Sequence, residues 1–182
     1  DETSIPATLK SIRKNYTDTA DKGTDFLCSG CYIETETAIY ITDVLYTAKA
    51  MKETEPKTAL MLTKNKTTIA RFESNNGGEG FARNVEVQTR LLKNTATSFT
   101  TFHQSINKEL RIFNNSNKVN NLIIMPADWE TRWPEFAKAV KTHKKNGKNA
   151  HDDAADFLTG MVEFFGKDLL VTNDPKVLSV FG

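Results

Sequence analysis

Two segments near the start of this chain, 26–34 and 38–46, are dense in β-branched and aromatic residues and are separated by little more than the polar stretch ETET. Runs of that kind with so short a connection read as neighbouring antiparallel strands. A third strand-like run, 12–19, precedes them across the turn-forming DKGTD, so the chain opens as a three-strand meander. The other end follows a different period. Phe157, Leu158, Met161, Val162 and Phe165 recur at helical spacing within 152–165.

Between these poles the two periods alternate. Residues 48–63 read as helix, with Pro56 at its start or at a break. TTIARFE (67–73) is a short strand closed by the turn formers SNNGGEG. Residues 81–92 read as helix, 98–104 as strand, KELRIF as a short helix and NLIIMP as a buried strand stopped by Pro126. Residues 128–145 form a further helix with the apolar stripe Trp133, Phe136, Ala137 and Val140, Pro134 lying in its first turn. The expected fold is a layered α/β or α+β domain around a mixed sheet.

At 182 residues the chain is most economically one domain with a core that needs no disulfides. No apolar run approaches the roughly 20 residues of a membrane span, and DETSIPATLK lacks the build of a secretion signal, so a cytoplasmic setting is expected. Cys28 and Cys31 form a lone C-x-x-C in a strand-like segment. Without a second pair of ligands they read as packing cysteines. Net charge is only +1, yet Lys138, Lys141, Lys144, Lys145 and Lys148 crowd one stretch, a strip suited to phosphates or simply a solvated face.

The acids carry the chemical signal. Asp18 ends the first strand, Glu73 ends a later strand just before Gly77 and Gly78, and Asp152 and Asp153 open the last helix. Strand ends and helix starts are where a sheet-based fold gathers groups into one cleft. Carboxylates sharing a small space repel unless a cation neutralises them, and hard ions such as Mg²⁺ or Mn²⁺ suit oxygen ligands. Two such ions roughly 4 Å apart promote phosphodiester cleavage. Each acid also has a local explanation: Asp18 as a turn former, Glu73 as a surface acid, Asp152 as a helix cap, Asp153 as a first-turn acid.

Four stretches in order resemble the carboxy-terminal nuclease domain of the large terminase subunit of tailed bacteriophages. They are YTDTADKGTDF, ARFESNNGGEGFARNV, KELRI and HDDAADFLTG, spanning residues from about 16 to about 165. The resemblance implies a ribonuclease H-like mixed sheet flanked by helices, Mg²⁺ or Mn²⁺ as a pair of ions, double-stranded DNA as substrate, and cutting of concatemers in genome packaging. It makes Asp18 the acid bridging both ions and Glu73 the second ligand. For the third, the helical step of roughly 100° per residue favours Asp153, then Asp152, and leaves Asp156 on the helix surface. Asp25 is a supporting acid, Asp43 is structural, and His151 orients a ligand or merely begins a helix. Asn75 and Asn76 shape a turn.

The expected reaction is in-line attack by water on a backbone phosphate, leaving 3′-hydroxyl and 5′-phosphate ends. Lys108 and Arg111 join Lys141, Lys144, Lys145 and Lys148 as expected DNA contacts. A terminase small subunit and a portal protein are the implied partners, in the cytoplasm of a bacterial host. The phosphate loop G-x-x-x-x-G-K-[ST] of the ATPase domain is not found, so the chain reads as a nuclease domain from a longer protein, with no bound ATP. Other ribonuclease H-like enzymes (a junction resolvase or a transposase core) and a non-catalytic DNA- or portal-docking module are the rivals.

Overall fold

The computed structural model describes residues 5, 9–19, 26–144 and 152–169. The opening meander is β1 (Ser11–Asp18), β2 (Leu27–Thr35) and β3 (Ile39–Thr47), paired antiparallel in sequence order. Then follow α1 (Met51–Lys64), β4 (Ile69–Glu73), α2 (Gly78–Leu91), β5 (Ser98–Phe102), α3 (Lys108–Leu122) and the two-residue β6 (Ile123–Ile124). Helices α4 (Trp129–Arg132), α5 (Pro134–Thr142) and α6 (Asp153–Glu163) are the last elements among the described residues. The six strands form one mixed sheet in the order β5-β4-β1-β2-β3-β6, with β4 parallel to β1 and β5 parallel to β4.

Side chains alternate across a strand, so each strand feeds two cores. On one face Tyr16, Cys28, Tyr32, Ile41 and Val44 pack with Phe136 of α5 and with Phe157, Leu158, Met161 and Val162 of α6. On the other face Leu27, Cys31, Ala70 and Phe72 meet Ala59 and Leu62 of α1 and Phe81, Ala82 and Val85 of α2. This is the sheet with helices on both faces that the sequence led us to expect. Both cysteines are buried and free, one in each core, as packing residues should be.

Four local expectations are corrected. KELRIF is the first part of a 15-residue helix, α3, capped by Asn107, whose side chain accepts from the Leu110 amide. Its asparagine-rich second half has weak intrinsic helicity, but Val119 and Leu122 pack on the core and offset that. NLIIMP is therefore not one buried strand: Asn121 and Leu122 end α3, and Met125 and Pro126 lie outside any helix or strand. Only Ile123 and Ile124 pair, parallel to β3 at the sheet edge, and Ile124 is 43% exposed rather than buried. The helix expected over 128–145 is two helices broken at Trp133, before Pro134. Pro56, expected at a helix start or a break, instead lies inside α1 without ending it.

Candidate metal centre

β1 and β4 lie side by side and parallel, with Thr17 opposite Phe72. Tyr16 faces the α6 side of the sheet, so Asp18, two residues on, does as well. Phe72 faces α1 and α2, so the next residue, Glu73, turns back towards α6. Both acids thus end adjacent strands on the same face. Asp156 comes down on them from α6: Asp18, Glu73 and Asp156 are all buried, and each offers a carboxylate oxygen within 4.8 Å of the others.

Asp156 is the largest departure from the sequence-based expectation. A helix with one apolar stripe should leave it on the surface, yet it is only 4% exposed. The reason is that α6 is covered on two sides. One flank packs on the sheet, and Asp153, Asp156 and Glu163 meet α3 through Lys108 and Arg111. Two glycines allow this approach. A Cβ at Gly160 would lie 2.0 Å from Tyr16 Cζ, and one at Gly30 would lie 2.4 Å from Phe157 Cζ.

Donors surround the acids. The Tyr16 hydroxyl donates to Glu73 Oε1 at 2.9 Å, and Arg111 Nη1 reaches the same oxygen at 3.4 Å. Arg111 also lies 3.3 Å from Asp156 Oδ1 and pairs with Glu163 at 3.1 Å. Lys108 Nζ sits 2.8 Å from both Asp152 and Asp153 and 3.7 Å from Asp156. Asp153 also accepts from the Phe26 amide at 3.3 Å. Behind Glu73 the chain turns through Gly77, in the left-handed conformation at φ +97, into α2. A Cβ at Gly78 would collide with the Glu73 carbonyl at 1.8 Å.

Repulsion among these acids shows in their proton affinities. Burial, then the nearby Glu73, hold the Asp18 carboxyl well above the usual carboxylate range, against the pull of Lys108. Asp156 is pushed up to about 7, chiefly by burial, with Arg111 and Lys108 opposing and Glu73 adding to the rise. Burial alone would lower the Lys108 ammonium, but Asp18, Asp152 and Asp153 raise it on balance. Asp156 Oδ1 is buried and, among the described residues, accepts no hydrogen bond, its contact with Arg111 being an ion pair at 3.3 Å. Among the described residues, six carboxylates (Asp18, Glu73, Asp152, Asp153, Asp156 and Glu163) face two cations, Lys108 and Arg111. An all-oxygen donor set with excess negative charge and a buried carboxylate oxygen that accepts no hydrogen bond fits hard divalent ions.

The remaining expected residues are distributed as follows. Arg111, expected as a DNA contact, is 3% exposed and held among three acids. Lys108, with 32% of its side chain exposed, faces the acids at the rim. Lys141 is exposed on α5 and pairs with Glu130, and Lys144 follows that helix. Lys145, Lys148, Asp25 and His151 lie outside the described residues. Asp43 accepts from the Val44 amide and from Asn65, a structural role. The Asn75 side chain brackets the Gln104 backbone, donating at 2.8 Å and accepting at 3.0 Å, as a turn-shaping residue would. Sequence reasoning missed Tyr16 and Glu163. The Asp156 to Glu163 interval, two helical turns, was the available signal for a second, polar buried stripe.

No protein-family model matches the chain, and no curated protein matches it in sequence. Solved structures do match in shape. The nuclease domain of the large terminase subunit of bacterial virus Sf6 superposes with a TM-score of 0.58 at 10% identity, over 85% of this chain and 89% of that one. The human cytomegalovirus terminase nuclease domain, soaked with manganese and bound to an inhibitor, gives 0.63 at 11% identity, over 93% and 89%. An Sf6 K428A nuclease domain with manganese and beta-thujaplicinol gives 0.56 at 8% identity, over 83% and 87%. The chain has the fold of these terminase nuclease domains, the ribonuclease H-like mixed sheet flanked by helices.

Proposed function

We propose that this chain is a metal-dependent endonuclease that cuts double-stranded DNA, the concatemer-cleaving part of a viral genome-packaging machine. The observation that carries this reading is the convergence of Asp18, Glu73 and Asp156, from β1, β4 and α6, within 4.8 Å on one face of the sheet. The fold shared with terminase nuclease domains supports it.

In this reading Asp18, Glu73 and Asp156 hold the first of two Mg²⁺ or Mn²⁺ ions, and Asp153 with Asp152 completes the second position at the rim. When bound, the ions would supply an activated water and neutralise charge on the departing oxygen. The protein's own groups do the rest. Tyr16 and Arg111 fix Glu73, and Lys108 covers the outer acids until a phosphate or an ion competes for them. The lysines at 141, 144, 145 and 148 grip flanking phosphates. A groove of about 360 Å³ beside Glu163, lined by Gln104, Asn115, Lys118 and Lys167, offers a path for the strand leading away. The terminase small subunit and portal belong to the same reading.

The test is plasmid cleavage in Mn²⁺ by wild type, Asp18→Asn and Glu73→Ala. Nicking and linearisation by wild type alone is the expected result, with 5′-phosphate ends that a ligase reseals. Intact plasmid in every tube, even at high enzyme concentration, would leave a DNA- or portal-docking module as the better reading. Branched DNA cut in preference to plain duplex would favour a resolvase.

A further inference from the structure

α3 and α6 run alongside each other, and their seam holds a polar chain that the metal-ligand set does not include. Arg111 reaches from α3 between Glu73 and Asp156, 3.4 Å from one carboxylate and 3.3 Å from the other, both through Nη1. From behind, Glu163 holds the guanidinium with one oxygen 3.1 Å from Nη2 and the other 3.4 Å from Nε. Glu163 is itself fixed by Asn115 at 3.4 Å and by Gln104 at 3.5 Å. The Gln104 backbone is gripped by the Asn75 side chain, two residues beyond Glu73. The chain of contacts therefore leaves β4 at Glu73, crosses α3 and α6, and returns through Asn75 to the turn that follows β4.

We propose that Arg111, braced by Glu163, is a positioning residue that fixes Glu73 and Asp156 relative to each other. This inference rests on the nuclease reading above. Glu73 is on a strand and Asp156 is on a helix packed across it, so no backbone hydrogen bonding sets their separation. Both have an oxygen facing Arg111. A planar guanidinium with several donors in a rigid fork can hold three carboxylates at once. A lysine keeps the charge but presents a single shorter-reaching point. The burial of Arg111 removes it from solvent and from any surface phosphate, so its charge is spent inside the protein.

A residue that orients ligands behaves differently from a ligand. Removing a ligand weakens ion binding. Loss of the orienting charge leaves every carboxylate in place and takes away a competing cation, so ions still bind, but at a spacing less suited to the reaction. A misplacement on the order of 1 Å costs roughly 100-fold in rate.

The experiment uses the full chain as wild type, Arg111→Lys, Arg111→Met and Glu163→Gln. It measures Mn²⁺ affinity by electron paramagnetic resonance, thermal midpoint without metal, and plasmid cleavage at saturating Mn²⁺. The expected result is a saturating rate reduced roughly 100-fold in Arg111→Met and roughly 10-fold in Arg111→Lys and Glu163→Gln, with Mn²⁺ affinity equal to or tighter than wild type. Should Arg111→Met fail to fold, the two conservative variants carry the test. Wild-type rates in both conservative variants would overturn the inference while leaving the nuclease reading intact. So would rate and Mn²⁺ affinity falling in parallel, because that marks damage to the ligand set. Wild type that neither binds Mn²⁺ nor cuts DNA would overturn the nuclease reading and this inference with it.

Discussion

Gly160 and Tyr16 touch so closely that the phenol occupies the space any side chain at 160 would need: a Cβ there would fall 2.2 Å from the hydroxyl. That hydroxyl donates to Glu73. Gly160→Ala should therefore push α6 off β1 or turn the phenol away, costing about 1–3 kcal/mol by overpacking. Tyr16→Phe keeps the packing and loses only the hydrogen bond, about 1 kcal/mol. Urea unfolding of both variants checks the ranking. A Gly160→Ala protein as stable as wild type would show that α6 does not seat as described.

Asp156 and Asp153 make opposite predictions for the third ligand. Asp156 is in the cluster with Asp18 and Glu73, whereas Asp153 is occupied by Lys108 and the Phe26 amide. Asp156→Asn should lower saturating cleavage on the order of 100- to 1,000-fold, the several kcal/mol of transition-state stabilisation that a held ion contributes. Asp153→Asn should do less. Mn²⁺ titrations followed by cleavage assays compare the two directly. The reverse order would return the central role to Asp153.

The raised proton affinity of Asp156 has a definite sign. Its folded value of about 7 lies above the ordinary 3.8, with Glu73, Asp152, Arg111 and Lys108 facing it. As pH rises from about 4 to about 7 the unfolded chain releases this proton first, so the metal-free fold loses stability across that window. The thermal midpoint of wild type minus that of Asp156→Asn should fall between pH 4 and pH 8 without metal. Mn²⁺ should reverse the trend, and its affinity should climb with pH as protons stop competing. A difference that stays flat across the window contradicts the burial that holds the Asp156 proton.

Away from the centre, Lys14 is fully buried and bonds Glu34, Asp168 and the Phe164 carbonyl. Arg71 grips Asp168 with two parallel bonds at 2.6 and 2.7 Å. This network ties the segment after α6 to β1, β2 and β4. Lys14→Met strands the buried Glu34 and should cost about 3–5 kcal/mol. Lys14→Met combined with Glu34→Gln should recover part of that loss. Thermal melts of the single and double variants measure it, and a single variant as stable as wild type would sink the claim.

The sheet was legible because its evidence is local. Alternation and short connections defined β1 to β3, and Asp18 and Glu73 could be assigned to strand ends without coordinates. α3 was not legible past its first turns, because its second half is rich in asparagine and its helicity comes from packing. Asp156 was misplaced for a related reason. A single apolar stripe describes a helix with one buried side, and α6 has two, the second lined with charge that only α3 explains. Arg111 was expected to contact DNA because it belongs to the basic KELRI stretch, where nothing in the local sequence marks it as buried. Its interior position depends on three acids from two other elements, Glu73 of β4 and Asp156 and Glu163 of α6.

Neighbouring hydrogen-bonded strands sit about 4.8 Å apart whatever their side chains, and β1 and β4 carry Asp18 and Glu73 at matching ends. The gap between these two acids is thus inherited from backbone pairing. A chain built this way should tolerate many replacements along β1 and β4 but hardly any change in their length. Deleting or inserting one residue just before Glu73 would swing it to the α1 and α2 side, separating the two acids while leaving the composition almost untouched.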